Sequence, residues 1–151
     1  MTAANKVLIV GGGIAGMSLA IRLGQSGIDT ELIDRDPEWQ AIGTGITITG
    51  PTFRAFGELG VEAEVRASGR SNETVRIFAP PNSYIGEIGP PITDPPLPNN
   101  GGILRPVLHN ILSRHVRESG VIVRLGISIA ALDDQSENMH VTFSDGQQDD
   151  Y

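Results

Sequence analysis

The sequence of 151 residues contains no cysteine. This absence excludes a disulfide framework, a thiolate metal site and a cysteine nucleophile. Positive charge is also scarce, since 11 Lys and Arg residues stand against 18 Asp and Glu residues and the formal net charge is −7. Nucleic acids and anionic membrane surfaces are recognised through clustered Lys and Arg. We therefore expect no nucleic acid partner and no membrane partner.

The sequence also lacks an apolar run that could cross a membrane. The uncharged segment Val7–Ile21 has 15 residues and contains three consecutive glycines. A membrane span needs about 18 apolar residues, and the glycines are unsuited to the apolar region of a signal peptide. We expect neither a targeting segment nor a transmembrane helix, and a cytoplasmic location.

The first third of the sequence has the pattern of a β-α-β unit. The run Lys6–Val10 is rich in β-branched residues and predicts a buried parallel strand. Apolar residues at helical spacing follow from Ile14 to a terminating Gly27, and Thr30–Asp34 predicts a second strand. The connection of such a unit is right-handed almost without exception. We expect an α/β fold, namely a Rossmann-like domain with a parallel sheet.

The rest of the chain predicts shorter elements and an antiparallel β-meander. In chain order they are an extended segment at Gly43–Ile48, helices at Pro51–Leu59 and Glu62–Ala67, a hairpin of Thr74–Ala79 and Tyr84–Ile88, a loop at Gly89–Gly102, a helix at Pro106–Ser119, a third parallel strand at Val121–Val123, and an antiparallel pair of Ser128–Leu132 and Met139–Phe143. Asp145-Gly146 has the composition of a hairpin turn.

Only three parallel strands are predicted. A dinucleotide-binding sheet normally has further strands on the far side of its first strand. Without them, Lys6–Val10 lies at a sheet edge, which is an association hazard for an apolar strand. We expect residues 1–151 to be the N-terminal portion of one domain, incomplete at its C-terminus. A second chain or a missing C-terminal segment would complete the sheet.

The segment Gly11–Gly16 has the spacing G-x-G-x-x-G between the first strand and the first helix. Gly11 permits the tight turn, Gly13 leaves room for a pyrophosphate, and Gly16 lets helix and strand pack closely. The N-terminus of the helix offers free N–H groups and a partial positive charge to that anion. Asp34 ends the second strand, where a carboxylate accepts hydrogen bonds from ribose hydroxyls. The pattern predicts a site for an ADP moiety.

Three segments of the sequence resemble the FAD-dependent aromatic hydroxylases, the group A flavoprotein monooxygenases similar to 4-hydroxybenzoate and salicylate hydroxylases. They are Asp34-Arg35, Gly43–Ile46, and the pattern R-x-x-L-H-x-x-L from Arg105 to Leu112. The resemblance implies FAD as cofactor, NADH or NADPH as transient reductant, and hydroxylation of a small aromatic substrate with O2. It further implies that residues 70–102 form a small excursion on the substrate side.

The resemblance also implies a set of cofactor-binding residues and assigns no catalytic residue in this sequence. They are Gly11, Gly13, Ile14, Ala15 and Gly16 at the pyrophosphate, Asp34 and Arg35 at the adenosine, the Val123 backbone at the adenine, Arg105 at the ribityl chain and pyrophosphate, and Gly45 toward the flavin ring. Two features depart from the family. Asp34 stands where Glu is more frequent, and two later motifs that serve FAD and NAD(P)H are absent from the sequence.

The other polar residues carry weaker signals. His109 and His115 are six residues apart on one predicted helix, so they face different directions and do not form a metal pair. Trp39 is interpreted as a packing residue of a loop. Six acidic residues follow Arg124 without any Lys or Arg, and charge runs of this kind usually face solvent. They are Asp133, Asp134, Glu137, Asp145, Asp149 and Asp150.

Three functions are compatible with these patterns. The first is the FAD-binding portion of a flavin-dependent monooxygenase. The second is a non-catalytic module that binds the ADP moiety of FAD or NAD and needs a partner chain, which would follow from an incomplete sheet. The third, half of an NAD-dependent dehydrogenase, is disfavoured by Arg105 and by the Gly43–Ile46 segment.

Overall fold

The computed structural model describes residues 6–90, 92, 96, 98, 100–136 and 138–151. These residues form strands and helices that are numbered separately in chain order. The strands are β1 (Lys6–Val10), β2 (Asp29–Asp34), β3 (Gly45–Thr49), β4 (Arg70–Asn72), β5 (Val75–Ala79), β6 (Ser83–Ile88), β7 (Asn100–Leu104), β8 (Ile122–Leu125), β9 (Ile129–Asp134), β10 (Met139–Phe143) and β11 (Gln148–Asp150). The helices are α1 (Ile14–Gln25), α2 (Gly50–Glu58), α3 (Glu62–Ser68) and α4 (Arg105–Glu118).

The chain divides into two compact units. One consists of Met1–Ala41 with Leu112–Tyr151, and the other of Ile42–Ile111. The division therefore falls within α4. Across the described residues, no helix is both long and apolar enough to span a membrane.

The first unit contains the predicted parallel sheet. Its strand order is β1-β2-β8, with β2 paired in parallel to both neighbours. The predicted parallel strands are confirmed, and β1 lies at the edge of this sheet as expected. The α/β Rossmann-like architecture predicted from the sequence is therefore confirmed.

Helix α1 packs on β1 and β2 through one apolar side. Met17, Ala20 and Ile21 are buried there at helical spacing. After the helix, Gly27 adopts φ +70° and its N–H donates to the carbonyl of Gly24. This left-handed conformation strongly favours glycine and ends the helix before β2.

The other sheet of the first unit is an antiparallel meander with the order β11-β10-β9. Its pairing confirms the predicted antiparallel pair, and Gly146 at φ +84° forms the expected turn after β10. Buried Val141 and Phe143 pack with Ile33 of the parallel sheet. The short strand β11 was not predicted, because its three polar residues carry no hydrophobic alternation.

A polar cluster connects the parallel sheet with the end of the chain. Glu31 on β2 is 4% exposed. It accepts hydrogen bonds from Arg124 Nη1 (3.0 Å) and the Tyr151 hydroxyl (2.5 Å), and Lys6 Nζ lies 3.9 Å from Glu31 Oε2. Lys6 also pairs with Asp149. Several interactions therefore compensate the burial of this carboxylate.

The described members of the acidic run are largely exposed, as the charge pattern predicts, and three of them also have basic partners. Asp149 pairs with Lys6, Asp145 with Arg124, and Asp150 with His140. Sequence order could not reveal these pairs, since the partners come from other strands. Glu137, which also belongs to the acidic run, lies outside the described residues.

The second unit contains an antiparallel sheet of order β3-β7-β4 and a β5-β6 hairpin. The hairpin and the helices α2 and α3 were predicted. The predicted loop Gly89–Gly102 is wrong at Asn100–Gly102, which belong to β7. Most of residues 91–99 lie outside the described part of the chain. A Cβ at Gly101 would contact the ring of Phe53, so glycine lets this part of β7 pack closely. The same glycine favours a loop when the sequence is considered alone.

Candidate functional site

The glycine turn between β1 and α1 has the geometry that an anion site requires. Gly11 adopts φ +106°, and open space surrounds its Cβ direction. At Gly13 a Cβ would also meet no atom within 4 Å. At Gly16, by contrast, a Cβ would lie 1.9 Å from the Gly11 carbonyl oxygen. The first two glycines thus leave an open surface, and the third permits close packing of helix against strand.

The N-terminus of α1 faces this surface without a side-chain cap. Gly13 is the N-cap residue, and no side chain caps it or places an acid in the first turn, as far as the structure describes the chain. The first intrahelical bond runs from Met17 N to Gly13 O at 2.9 Å. The first N–H groups of a helix have no intrahelical acceptor, and the helix dipole places partial positive charge there. This end of the helix can therefore bind a diphosphate.

Asp34, predicted as the ribose ligand, lies at the end of β2 beside this turn. Its Oδ2 accepts a hydrogen bond from Gly12 N at 2.6 Å, and its Oδ1 accepts one from Asp36 N at 2.7 Å. An ionised carboxylate has about four acceptor positions. The two backbone bonds therefore orient the group and leave capacity for further donors such as ribose hydroxyls.

Trp39 is a part of the site whose place the sequence did not reveal. It is 6% exposed, and its Nε1 donates a hydrogen bond to the Gly12 carbonyl at 2.8 Å. The Arg117 guanidinium lies over its ring at 4.9 Å from the ring centre. A lone tryptophan in a polar loop gave no signal beyond packing, because its partner lies 27 residues away in sequence.

The other predicted residues of the first unit lie at the carboxyl side of the same sheet or beside it. Ile14 and Ala15 form the first turn of α1, and Ala15 is exposed. Arg35 is exposed directly after β2. Val123 is half-buried in β8, where it pairs with Leu32 of β2. Binding of FAD by these residues stays a prediction.

Arg105 and Gly45 belong to the second unit. The Arg105 N–H donates to the Thr44 carbonyl at 3.1 Å, and the Arg105 Cδ lies 3.0 Å from where a Cβ of Gly43 would be. Gly43 also has φ +126°, which strongly favours glycine. Gly43 therefore leaves the space that the Arg105 side chain occupies. The roles of Arg105 and Gly45 toward FAD stay predictions.

An open groove of about 550 Å³ lies on the sheet of the second unit. Gly45, Gly69 and Gly102 contribute to its lining together with Arg70. Elsewhere, the described residues contain no cluster of three or more His, Asp or Glu side chains suited to a metal ion.

Comparison with known proteins identifies the family. Residues 4–151 match the family described as FAD binding domain. The chain belongs to this family. FAD is therefore the cofactor of the domain, in agreement with the resemblance noted from the sequence.

Relatives with similar sequences are longer proteins. The aurachin C monooxygenase/isomerase of Stigmatella aurantiaca is 29% identical over 151 residues, which cover 94% of this chain and 37% of the relative. The 2-heptyl-3-hydroxy-4(1H)-quinolone synthase of Pseudomonas aeruginosa is 31% identical over 142 residues, which cover 93% and 36%. The chain thus spans somewhat more than a third of the length of these curated relatives.

Solved structures agree with the fold. The crystal structure of 2-methyl-3-hydroxypyridine-5-carboxylic acid oxygenase, mutant Y270A, superposes with a TM-score of 0.78 at 25% identity. The superposition covers 98% of this chain and 38% of the oxygenase. The chain therefore has the fold of the corresponding part of this oxygenase.

The residues of the first unit fit the ADP half of FAD. The uncapped helix N-terminus and the open surface at Gly13 suit a diphosphate. The carboxylate of Asp34 retains acceptor capacity for a ribose. No side chain within the first turn of α1 opposes an anion by charge. The donor set is thus consistent with the cofactor of the family.

Proposed function

We propose that this chain binds the FAD of a flavin-dependent monooxygenase that hydroxylates an aromatic substrate with NAD(P)H and O2. The single observation that carries the proposal is the arrangement in the first unit. There the open glycine turn, the N-terminus of α1 and the Asp34 carboxylate lie together. FAD, when bound, supplies the redox chemistry and the activation of O2, whereas the protein supplies binding and orientation.

The substrate class rests on similarity. The named relatives include a quinolone synthase, a hydroxypyridine carboxylic acid oxygenase, and a 3-hydroxybenzoate 6-hydroxylase of Polaromonas naphthalenivorans that is 34% identical over 83 residues. The compounds in these names contain a hydroxylated aromatic ring or an aromatic nitrogen heterocycle. We therefore propose a small hydroxylated aromatic compound as the substrate of the whole enzyme.

The chain's own residues divide the work of holding FAD. The N–H groups of Gly13 and Ile14 donate to the diphosphate, and Asp34 accepts from the ribose. Arg105 has the planar, permanently charged guanidinium that suits phosphate recognition. None of these residues distinguishes NADH from NADPH.

The experiment is a titration of the purified chain with FAD, followed by gel filtration and absorption spectroscopy. We expect a chain that retains the yellow flavin spectrum and an Asp34→Ala variant that loses it. Retention of FAD by the variant and the wild type alike would contradict the proposed site. Oxidation of NADH or NADPH by the FAD-loaded chain, measured by absorption spectroscopy, then tests the reductase step.

A second function has one observation in its favour. Strand β1 pairs only with β2 among the described residues, so its other edge is open to a further strand. This edge suits a non-catalytic module that binds an ADP moiety and is completed by another polypeptide. A colourless chain that binds ADP but not FAD would support this second function and contradict the first.

A further inference from the structure

Trp39 has an unusual conformation for a bulky residue. It adopts φ +44°, a left-handed conformation that large side chains rarely occupy. It is nevertheless buried, and its indole lies directly on Gly12, where a Cβ would be only 2.1 Å from Nε1. Strained backbone of this kind persists where the surrounding structure fixes it. Its position thus depends on specific contacts.

Those contacts form a closed path that begins and ends at Gly12. Gly12 N donates to Asp34 Oδ2, and Asp34 Oδ1 accepts from Asp36 N. The Asp36 carboxylate then accepts from the N–H groups of Glu38 and Gln40, on either side of Trp39. Trp39 Nε1 completes the path at the Gly12 carbonyl. The side chains of Asp34 and Trp39 thereby hold both backbone polar groups of Gly12.

The bond to the Gly12 carbonyl also fixes the direction of the next N–H group. A trans peptide is planar, so its C=O and N–H point in opposite directions. The Gly12 oxygen points toward Trp39, and the Gly13 N–H of the same peptide therefore points away from it. Gly13 is exposed and has open space around it. Without this bond, a turn of three glycines could rotate that peptide freely.

We propose that Trp39 is a positioning residue that aims the Gly13 N–H at the diphosphate of the bound dinucleotide. This inference rests on the proposed function and adds a residue that lies outside the Gly11–Gly16 motif and Asp34. Trp39 does not touch the ligand in this account. It prevents the Gly12 carbonyl from turning toward the anion, where it would repel the phosphate oxygens.

The test compares the wild-type chain with Trp39→Phe, which keeps an aromatic ring and removes the N–H donor. Binding of ADP and FAD is measured by calorimetry, and binding of adenosine by NMR titration. We expect affinities for ADP and FAD to fall about fivefold, which corresponds to one lost hydrogen bond. Adenosine lacks the diphosphate, so its affinity should change by less than about twofold.

Two further variants separate positioning from packing. Arg117→Lys alters the group over the indole while keeping the charge and the Nε1 bond, and should leave ADP affinity unchanged. Asp36→Ala releases the loop that carries Trp39, and should weaken ADP binding as Trp39→Phe does. If Trp39→Phe does not fold, biosynthetic replacement of this single tryptophan by benzothienylalanine removes the N–H with the ring shape retained.

The possible results distinguish this inference from the proposed function. A wild-type chain that binds neither ADP nor FAD contradicts the proposed function itself. A wild-type chain that binds both, with unchanged ADP affinity in Trp39→Phe, overturns only the role of Trp39. An equal loss for adenosine and ADP would also overturn it, because such a loss indicates general loosening of the site.

Discussion

The Asp34 carboxylate accepts a hydrogen bond from the Gly12 amide at 2.6 Å, although the two residues are 22 positions apart in the chain. The two halves of the predicted cofactor motif are therefore bonded to each other directly. The carboxylate therefore contacts the turn directly. Substitution of Asp34 should accordingly affect both the stability of the chain and its affinity for FAD.

Asp34→Ala should lower the free energy of unfolding by about 1–3 kcal/mol, because the amides of Gly12 and Asp36 lose a charged acceptor. It should weaken FAD binding by at least about tenfold, which a lost charged hydrogen bond to the ribose accounts for. Urea unfolding and calorimetry measure the two effects. Asp34→Asn keeps one oxygen acceptor and should lie between the variant and the wild type. Wild-type affinity in Asp34→Ala would refute the ribose assignment.

Gly13→Ala and Gly16→Ala should distinguish a glycine that leaves room for the ligand from a glycine that lets helix and strand pack. A Cβ at Gly13 enters open space at an ordinary φ of −74°, so the fold should be retained and FAD binding weakened. A Cβ at Gly16 would collide with the Gly11 carbonyl, so the variant should lose about 1–3 kcal/mol or more of stability. Thermal unfolding and FAD titration distinguish the two.

The control for both variants is Gly57→Ala in α2, where a Cβ also meets open space. Alanine favours helices over glycine by up to about 1 kcal/mol, so this variant should be slightly stabilised with unchanged FAD affinity. Normal FAD affinity in Gly13→Ala would show that the surface at Gly13 is not the ligand site.

Tyr151→Phe should destabilise the first unit. The hydroxyl of Tyr151 donates to buried Glu31, and burial together with this bond raises the pKa of the hydroxyl above its ordinary value. Loss of a hydrogen bond to a buried charged group costs about 1.5–3 kcal/mol, measured by urea unfolding. Glu87→Gln removes the exposed pair with Arg76 and serves as control, with a change below about 1 kcal/mol. Equal losses of stability in Tyr151→Phe and Glu87→Gln would contradict a role for the burial of Glu31 in strengthening the Tyr151 hydrogen bond.

The pKa of His140 should lie above its ordinary value. Its hydrogen bond to Asp150, at 2.6 Å, raises the pKa of the imidazole above 6.5. A raised pKa in the folded state stabilises the fold fully below the unfolded pKa, and this contribution is lost as pH rises through the folded pKa. NMR titration of the imidazole should give the raised value in the wild type and a lower one in Asp150→Asn. A wild-type value at or below 6.5 would exclude the pair in solution.

The strands and helices that the sequence predicts are those with a hydrophobic pattern. Lys6–Val10 and the helix starting at Ile14 have strong periodicity, and the structure places both as expected. Strand β4, by contrast, consists of three exposed polar residues and forms because it pairs with β7. Such a strand depends on its partner and leaves no local signal.

The candidate site was likewise predicted only where its residues leave a local signal in the sequence. The glycine spacing and the acid after β2 predict the turn and its anion-binding geometry, because backbone sterics impose those residue types. The contact of Trp39 with Gly12 could not be predicted, because the sequence does not show which residues a large loop side chain packs against. Its contact with Gly12 depends on the loop conformation that the Asp36 carboxylate holds. That conformation is a tertiary property.

The proposed function requires that the diphosphate of FAD binds at the N-terminus of α1. The most direct measurement is an NMR titration of the nitrogen-15-labelled chain with ADP, followed through the backbone amides. We expect the largest shifts at the amides of Gly13, Ile14, Ala15 and Gly16, and no comparable shifts when adenosine replaces ADP. If ADP binds but these four amides do not shift, and the shifted amides lie elsewhere in the chain, the proposed binding site is contradicted.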